Sequence, residues 1–492
     1  MPSSSERNLT LNSPDRVLAI ALMVITLGFS IIPMSLGSIS SKNISTTGLI
    51  TYVQVPRVTV DPSQTIAINN YSIGFQLDGP DIRIWRDRAA FRELTKNANF
   101  KFVRFFEHRM GKPCTYWDET EKSGTWDWDD IDLLIQRIFE IGAEPLIVLG
   151  FYSWSLNRMS STPEGMHDNP TTGLPYPDQW GAYCAQWVKH FKEIGVPVRY
   201  YEIINEPHHY FGWGRYANET KIGYYMELYN AAAISMKAEN QDVRLSNDNS
   251  LFKKVFDYFV AHGENLGFLS FHRYGLDSQT QTDAQAIDAA ETKYLYDDAN
   301  MYSPETAKQL YKNAKGFDLP VIMSEGNLCD DYDPIDSRTH MMLGAVYTAL
   351  SIRTFVLKGI IHSVYFIFGG GENAMGMVNT DTSTPWYAYY AQYMIGSNLA
   401  VGDKIVKTTT STEDIRSLAW LHGEKLMILL VCRINSQRTI SLQGITGQMN
   451  YTKIDNTIPW QNPSLQTGTI TSADSLTLNG YAVVLVQASI SS

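Results

Sequence analysis

The chain has 492 residues, of which 44% are hydrophobic and 18% charged; this excludes intrinsic disorder and implies a folded protein of about two to four domains. Its formal net charge is −11 and it has no Lys/Arg-rich run, which argues against nucleic acid as a partner. Four cysteines lack C-x-x-C spacing, so a zinc or redox motif is disfavoured, while three disulfide pairings stay open if the chain is exported.

Residues 1–16 form a polar tail. The run VLAIALMVITLGFSIIPMSLG, residues 17–37, carries no charge and is long enough to cross a bilayer as a helix. Arg7 and Arg16 precede it and favour an inside N-terminus. The expectation is a transmembrane anchor or a cleaved signal segment, with the rest of the chain extracytoplasmic and the membrane contacted only through this segment. N-x-S/T sequons at Asn43, Asn70, Asn218 and Asn450 are compatible with that location. Residues 38–50 read as a Ser/Thr/Gly-rich linker. Residues 51–65 read as a strand that joins a C-terminal β-domain.

From residue 66 to about 400, short apolar runs alternate with amphipathic helical stretches, the pattern of βα units. The runs are YSIGF (71–75), KFVRFF (101–106), EPLIVLGF (144–151), VRYYEII (198–204), DVRLS (242–246), LGFLSF (266–271), LPVIMS (319–324) and IIHSVYFIF (360–368). Eight is the number a closed (β/α)₈ TIM barrel needs. Between them, Ile131, Leu134, Ile135, Ile138 and Phe139 fall on one helical face ended by Gly142. Trp180, Tyr183, Cys184, Trp187, Val188 and Phe191 repeat the pattern and stop before Gly195 and Pro197. Residues 386–399 read as the last helix. Residues 401–492 hold short alternating segments separated by Gly, Asn, Ser and Thr, the pattern of a β-sandwich.

In such a barrel the reactive groups stand at the C-terminal ends of the strands. The fourth run ends in Asn205-Glu206-Pro207 and the seventh in Ser324-Glu325-Gly326-Asn327, so two carboxyl groups lie at the same end of strands on opposite sides. A pair of acids, one protonated and one ionised, is the minimal equipment for cleaving a glycosidic bond. A lone Glu after a strand is usually a solvated loop residue; two in this setting are not.

The motifs W-D-W-D-D-I-D (126–132), Y-Y-E-I-I-N-E-P-H (200–208), F-L-S-F-H-R-Y (268–274) and P-V-I-M-S-E-G-N (320–327) resemble clan A of the glycoside hydrolases, most closely family 39. The resemblance implies a retaining β-glycosidase acting on oligo- or polysaccharides through a covalent glycosyl-enzyme, with no cofactor and no metal. It implies Glu206 as general acid/base with a raised pKa, and Glu325 as ionised nucleophile. It implies Arg104 and Tyr274 as donors around Glu325, Asn205 as a partner of the sugar 2-hydroxyl, and His272 near the same subsite. Trp154, His208, His209, Trp213 and Glu372 are candidate subsite residues at the mouth. Three positions depart from the family pattern. Strand eight lacks the usual Trp platform, so Phe366 or Phe368 substitutes. Gly326 follows the nucleophile where an aromatic is more common, and Ile204 replaces Trp before the Asn. Two other readings use the same residues: a non-catalytic carbohydrate-binding surface protein on the same scaffold, and a transglycosylase. Asp330, Asp331, Asp333 and Asp336 lack EF-hand spacing and read as a solvated loop. Gly369, Gly370 and Gly371 read as a rim loop rather than a phosphate cradle.

Overall fold

The computed structural model describes residues 55–489 except 154, 249, 332–333 and 473. The apolar run 17–37, the linker and Trp154 lie outside the described residues. Among the described residues no helix is long and apolar enough to cross a membrane.

Eight parallel strands form one sheet in which sequence neighbours are spatial neighbours: Ser72–Leu77, Phe102–Phe106, Glu144–Ser153, Tyr200–Asn205, Arg244–Ser246, Leu269–Leu276, Val321–Cys329 and His362–Tyr365. They are called barrel strands one to eight below. Strand eight pairs with strand one, and the remaining edges, strands five and six, meet at a bridge between Leu245 and Leu266. Phe102, Leu146, Tyr200, Ile322 and Val364, from five strands, and Phe268, just before strand six, pack into a small core of their own inside the ring. The outward positions join a much larger core with the surrounding helices. The helical stripes read from the sequence form Asp129–Glu140 and Pro177–Glu193, with Ile131, Leu134, Ile135, Ile138, Trp180, Cys184 and Trp187 buried. The last helix of the barrel is Tyr387–Gly396.

Strands six and seven run past their predicted ends, to Leu276 and Cys329, so Glu325 lies within strand seven rather than after it. The register slips there: Phe271 pairs with Met323 but His272 pairs with Glu325. A bulge of this kind re-aims side chains and is common beside active sites. Gly326 is dictated by the same close approach, since a Cβ would stand 2.3 Å from the Arg273 carbonyl oxygen. No aromatic residue fits there.

The C-terminal region and Arg57–Ile68 form a second sheet of nine strands. Arg57–Ile68 pairs antiparallel with Lys404–Thr410 and parallel with Arg438–Gln443. Hydrogen bonds link all nine strands into one sheet, so the two separate sheets of a sandwich are not distinct; Val58, Leu442 and Leu476 from one end share a core with Ile428, Val484 and Met449 from the other. Strand Lys425–Cys432 shows the period-2 logic: Leu426, Ile428 and Leu430 enter that core, while Met427, Leu429 and Val431 pack on the barrel side. The four cysteines are all free and buried, so no disulfide pairing forms.

Candidate active site

Arg104 is the hub of the site. It stands on strand two, fully buried, in an otherwise apolar run. Its Nε donates to Glu202 Oε2 at 2.8 Å, its Nη1 to Gln76 Oε1 at 2.7 Å and Glu325 Oε2 at 2.6 Å, and its Nη2 to Asn205 Oδ1 at 2.8 Å. Burial opposes its charge, but Glu202, Glu325 and Asp248 more than offset that and raise its pKa. One guanidinium thereby fixes groups from barrel strands one, four and seven. Asn205 is oriented through its carbonyl oxygen, which leaves its NH₂ as the donor for a ligand.

Glu206 follows strand four in a left-handed backbone conformation, φ 45°, and Ile204 beside Asn205 has φ 64°. Such angles are costly for non-glycine residues, above all β-branched ones, and are held only by strong surroundings. Here the Asp248 Oδ2 accepts from the Glu206 backbone N–H at 2.8 Å, and Tyr225 Oη donates to the Ile203 carbonyl at 2.8 Å. The Glu206 carboxyl contacts two imidazoles: its Oε2 lies 2.9 Å from His209 Nε2 and its Oε1 2.9 Å from His272 Nδ1.

Glu325 accepts from Tyr274 Oη at 2.6 Å as well as from Arg104. His272 joins the two acids, with Nδ1 3.7 Å from Glu325 Oε1 and Nε2 2.8 Å from Asp248 Oδ1. One oxygen of Glu206, one of Glu325 and a nitrogen of His272 all lie within 4.8 Å of one another.

The electrostatics differ from the sequence expectation. Burial disfavours the charged form of His272, but Asp248 and Glu325 overcome it and hold its pKa well above 6.5, against the Arg104 guanidinium 3.3 Å from Nε2. Burial alone would raise Glu206; the hydrogen bonds from His209 and His272 outweigh it and hold the carboxyl well below its usual range. Glu325 is raised, by burial first and by the charge of Glu206, against the pull of His272, Arg104 and Tyr274. The resemblance implies the opposite order for the two acids; the two histidines on Glu206 are the physical reason for the reversal in the ligand-free chain.

Of the other candidates, His208 is buried beneath Trp213 and Phe252 and does not reach the cavity; His209, its neighbour, does. Phe368 is not a platform. Its ring is fully buried between Phe75 and Phe91, because Phe368 N–H bonds to the Gln76 carbonyl and turns the side chain into the outer core. Phe366 instead stands edge-on to Tyr274, with centroids 6.2 Å apart. Glu372 is not among the residues lining the cavity.

Three residues at the centre were not singled out from the sequence: Asp248, Glu202 and Gln76. Asp248 follows strand five as Glu206 follows strand four, which was the available signal. Glu202 and Arg104 are lone charges in apolar strands, and buried charges need partners.

Glu206, His209 and His272 open onto a cavity of about 500 Å³ whose walls include Trp213, Phe252, Tyr274, Tyr294 and Met301 and the charged Asp277, Lys293 and Asp330; Glu325, buried behind Tyr274, is not among the lining residues. A second hollow of about 190 Å³ continues it, sharing Trp213, Phe252, Tyr294 and Met301 and adding Tyr216.

The fold resembles several crystal structures. A monomeric β-xylosidase from Caulobacter crescentus superposes with a TM-score of 0.60 at 15% identity, over 88% of this chain and 99% of that one. A GH39 enzyme from Xanthomonas axonopodis pv. citri gives 0.61 at 15%, over 88% and 97%. An α-L-arabinofuranosidase from Thermotoga maritima gives 0.60 at 15%, over 88% and 100%. No curated protein sequence matches the chain. The sequence matches the model of glycosyl hydrolases family 39 over residues 66–430, most of its length; the chain belongs to that family and is a glycosidase, hydrolysing glycosyl bonds.

Proposed function

We propose that the chain cleaves β-glycosidic bonds of an oligosaccharide with retention of configuration. The observation that carries this is the approach of Glu206 and Glu325 oxygens to within 4.8 Å. Retaining pairs stand about 5–5.5 Å apart, whereas inverting pairs need roughly 6.5–9.5 Å to admit a water. Glu325 attacks the anomeric carbon while Glu206 gives a proton to the departing oxygen, leaving a glycosyl ester on Glu325. Glu206 then takes a proton from water, which displaces the ester and restores the free carboxylate.

The proton that Glu206 must give is stored in its hydrogen bond with His272. A shift along that 2.9 Å contact makes Glu206 neutral and leaves His272 neutral, with Nε2 still 2.8 Å from Asp248 Oδ1. Once Glu206 is neutral its repulsion of Glu325 vanishes, and Arg104 and Tyr274 favour the ionised nucleophile. The pair thus shares one proton rather than holding two fixed pKa values.

The aromatic groove supports a substrate with more than one sugar ring on the leaving side, since Trp213 is 52% exposed and Tyr216 76%. We place the site outside the cytoplasmic membrane, on the strength of the apolar segment 17–37 alone. Family membership sets aside the non-catalytic alternative; transglycosylation remains an outcome of the product test. That test is a panel of aryl β-glycosides and oligosaccharides with the anomer of the first product read by proton NMR, alongside Glu206→Gln and Glu325→Gln. Retention and a loss of at least ~10³ in turnover for Glu325→Gln are expected. An inverted product, or full activity in both variants, would overturn the reading.

A further inference from the structure

Strand six alternates its side chains, so His272 and Tyr274 face the site while Arg273 points outward, against helix Met342–Lys358. Arg273 is only 1% exposed. Among the described residues no carboxylate pairs with it. Its Nη1 donates to Ser351 Oγ at 3.4 Å, its Nη2 to the Ala289 carbonyl, and its guanidinium lies over the rings of Phe355 and Tyr347 at 5.0 and 5.8 Å. Its Nε is buried without a partner, and so is Thr348 Oγ1.

Both residues line a cavity of about 30 Å³ between the sheet and the helix, together with Met323, Tyr347, Ser351 and Tyr365. Each of these side chains is more than nine-tenths buried. A guanidinium cannot shed its proton in a protein, and an uncompensated buried charge is costly. Arg273 and the hydroxyl-bearing Thr348, Ser351 and Tyr365 border the space, and no acid does. A water needs about 10–15 Å³ by the same measure, so the space suits one small occupant and excludes phosphate, sulfate or a carboxylate metabolite.

We propose that this cavity binds a small monovalent anion of chloride size, held by Arg273 Nε and Thr348 Oγ1 as counter-charge to the buried guanidinium. The site is separate from the two acids and stands whether or not the retaining reading does. It backs onto the nucleophile strand, since Met323, Gly326 and Asn327 also border the space.

Crystals of the full chain soaked in sodium bromide test the proposal by anomalous scattering at the bromine edge. A bromide peak within hydrogen-bond reach of Arg273 Nε is expected. In solution, chloride replacing gluconate at constant ionic strength should raise Tm by roughly 2 °C at ten times Kd, in the wild type but not in Arg273→Met. Should Arg273→Met fail to fold, Thr348→Val provides the second variant, with a several-fold weaker chloride response. Absence of a bromine peak, or gluconate matching chloride on wild-type Tm, would overturn the proposal. A peak at crystal concentration with no chloride effect on Tm would also count against it.

Discussion

His272 Nδ1 lies 2.9 Å from Glu206 Oε1, so the Glu206 carboxyl is bonded to a buried imidazole. Asp248, fully buried, lies 2.8 Å from Nε2 on the other side and raises the proton affinity of that imidazole. Under the proposed function, the pH range over which Glu206 acts is therefore set by three residues.

Replacing Asp248 by Asn removes the charge that sustains the imidazolium while retaining an oxygen for the Glu206 backbone N–H. The His272 pKa then falls, the shared proton is lost at lower pH, and the basic limb of kcat/KM moves acidward by about one unit or more. His272→Gln moves it the same way. Profiles that coincide with wild type would show that the proton is held elsewhere.

Arg104→Lys is a severe change. An ammonium cannot serve Glu202, Gln76, Glu325 and Asn205 together, because its three donors lack the planar fork. Leaving buried carboxylates unpaired costs about 3–5 kcal/mol, so thermal melts should show a large loss of stability and turnover should fall by at least ~10². A variant that melts and turns over like wild type would contradict the hub role.

Phe368 and Trp213 should separate cleanly. Phe368→Ala removes a fully buried ring and should cost about 3–5 kcal/mol in chemical denaturation, with KM unchanged below the melting range. Trp213→Ala should raise KM several-fold for longer oligosaccharides, leave small aryl glycosides unaffected, and change stability by about 1 kcal/mol or less. A KM effect at Phe368 or none at Trp213 would reverse their assignments.

Acid should destabilise the fold through its neutral histidines. Burial pushes His208 and His362 down to about 3, below the 6.5 of an unfolded chain. Between those values the unfolded chain binds more protons, so stability is full above pH 6.5 and falls as the pH drops. Each group removes on the order of 2 kcal/mol between pH 6.5 and 5. Asp81 and Asp168, raised by burial to about 6, act in the opposite sense as the pH falls from 6 towards 3.8. Denaturant titrations across this range should show a shallower decline in His362→Leu than in wild type. Equal slopes would mean His362 is not held neutral.

Local patterning was enough to identify the eight barrel strands, because each must bury both faces and so reads as a short apolar run bounded by turns. The position of Glu206 and Glu325 at one end of that ring was equally legible, since strand direction fixes which end carries the loops. Strand ends were less so: strands six and seven continue beyond their apolar runs because polar residues there face the site and bond across it. A strand over residues 51–65 is legible from β-branched alternation, and Arg57–Ile68 forms one, but its partners, Lys404–Thr410 and Arg438–Gln443, lie more than 300 residues away.

What the sequence by itself determined is therefore periodic: which segments are strands or helices, which faces they bury, and which acids follow the fourth and seventh apolar runs. What only the tertiary structure decided is which charges meet. Asp248, Glu202 and Gln76 acquire their roles by closing on Arg104 and His272 from strands far apart in the chain, and His209 by turning back onto Glu206 one helical turn away. Phe368 loses its expected role because one backbone hydrogen bond turns its ring into the core. Hydrophobic burial follows local periodicity, whereas proton affinity depends on through-space distances of a few ångströms, and those exist only after the ring has closed.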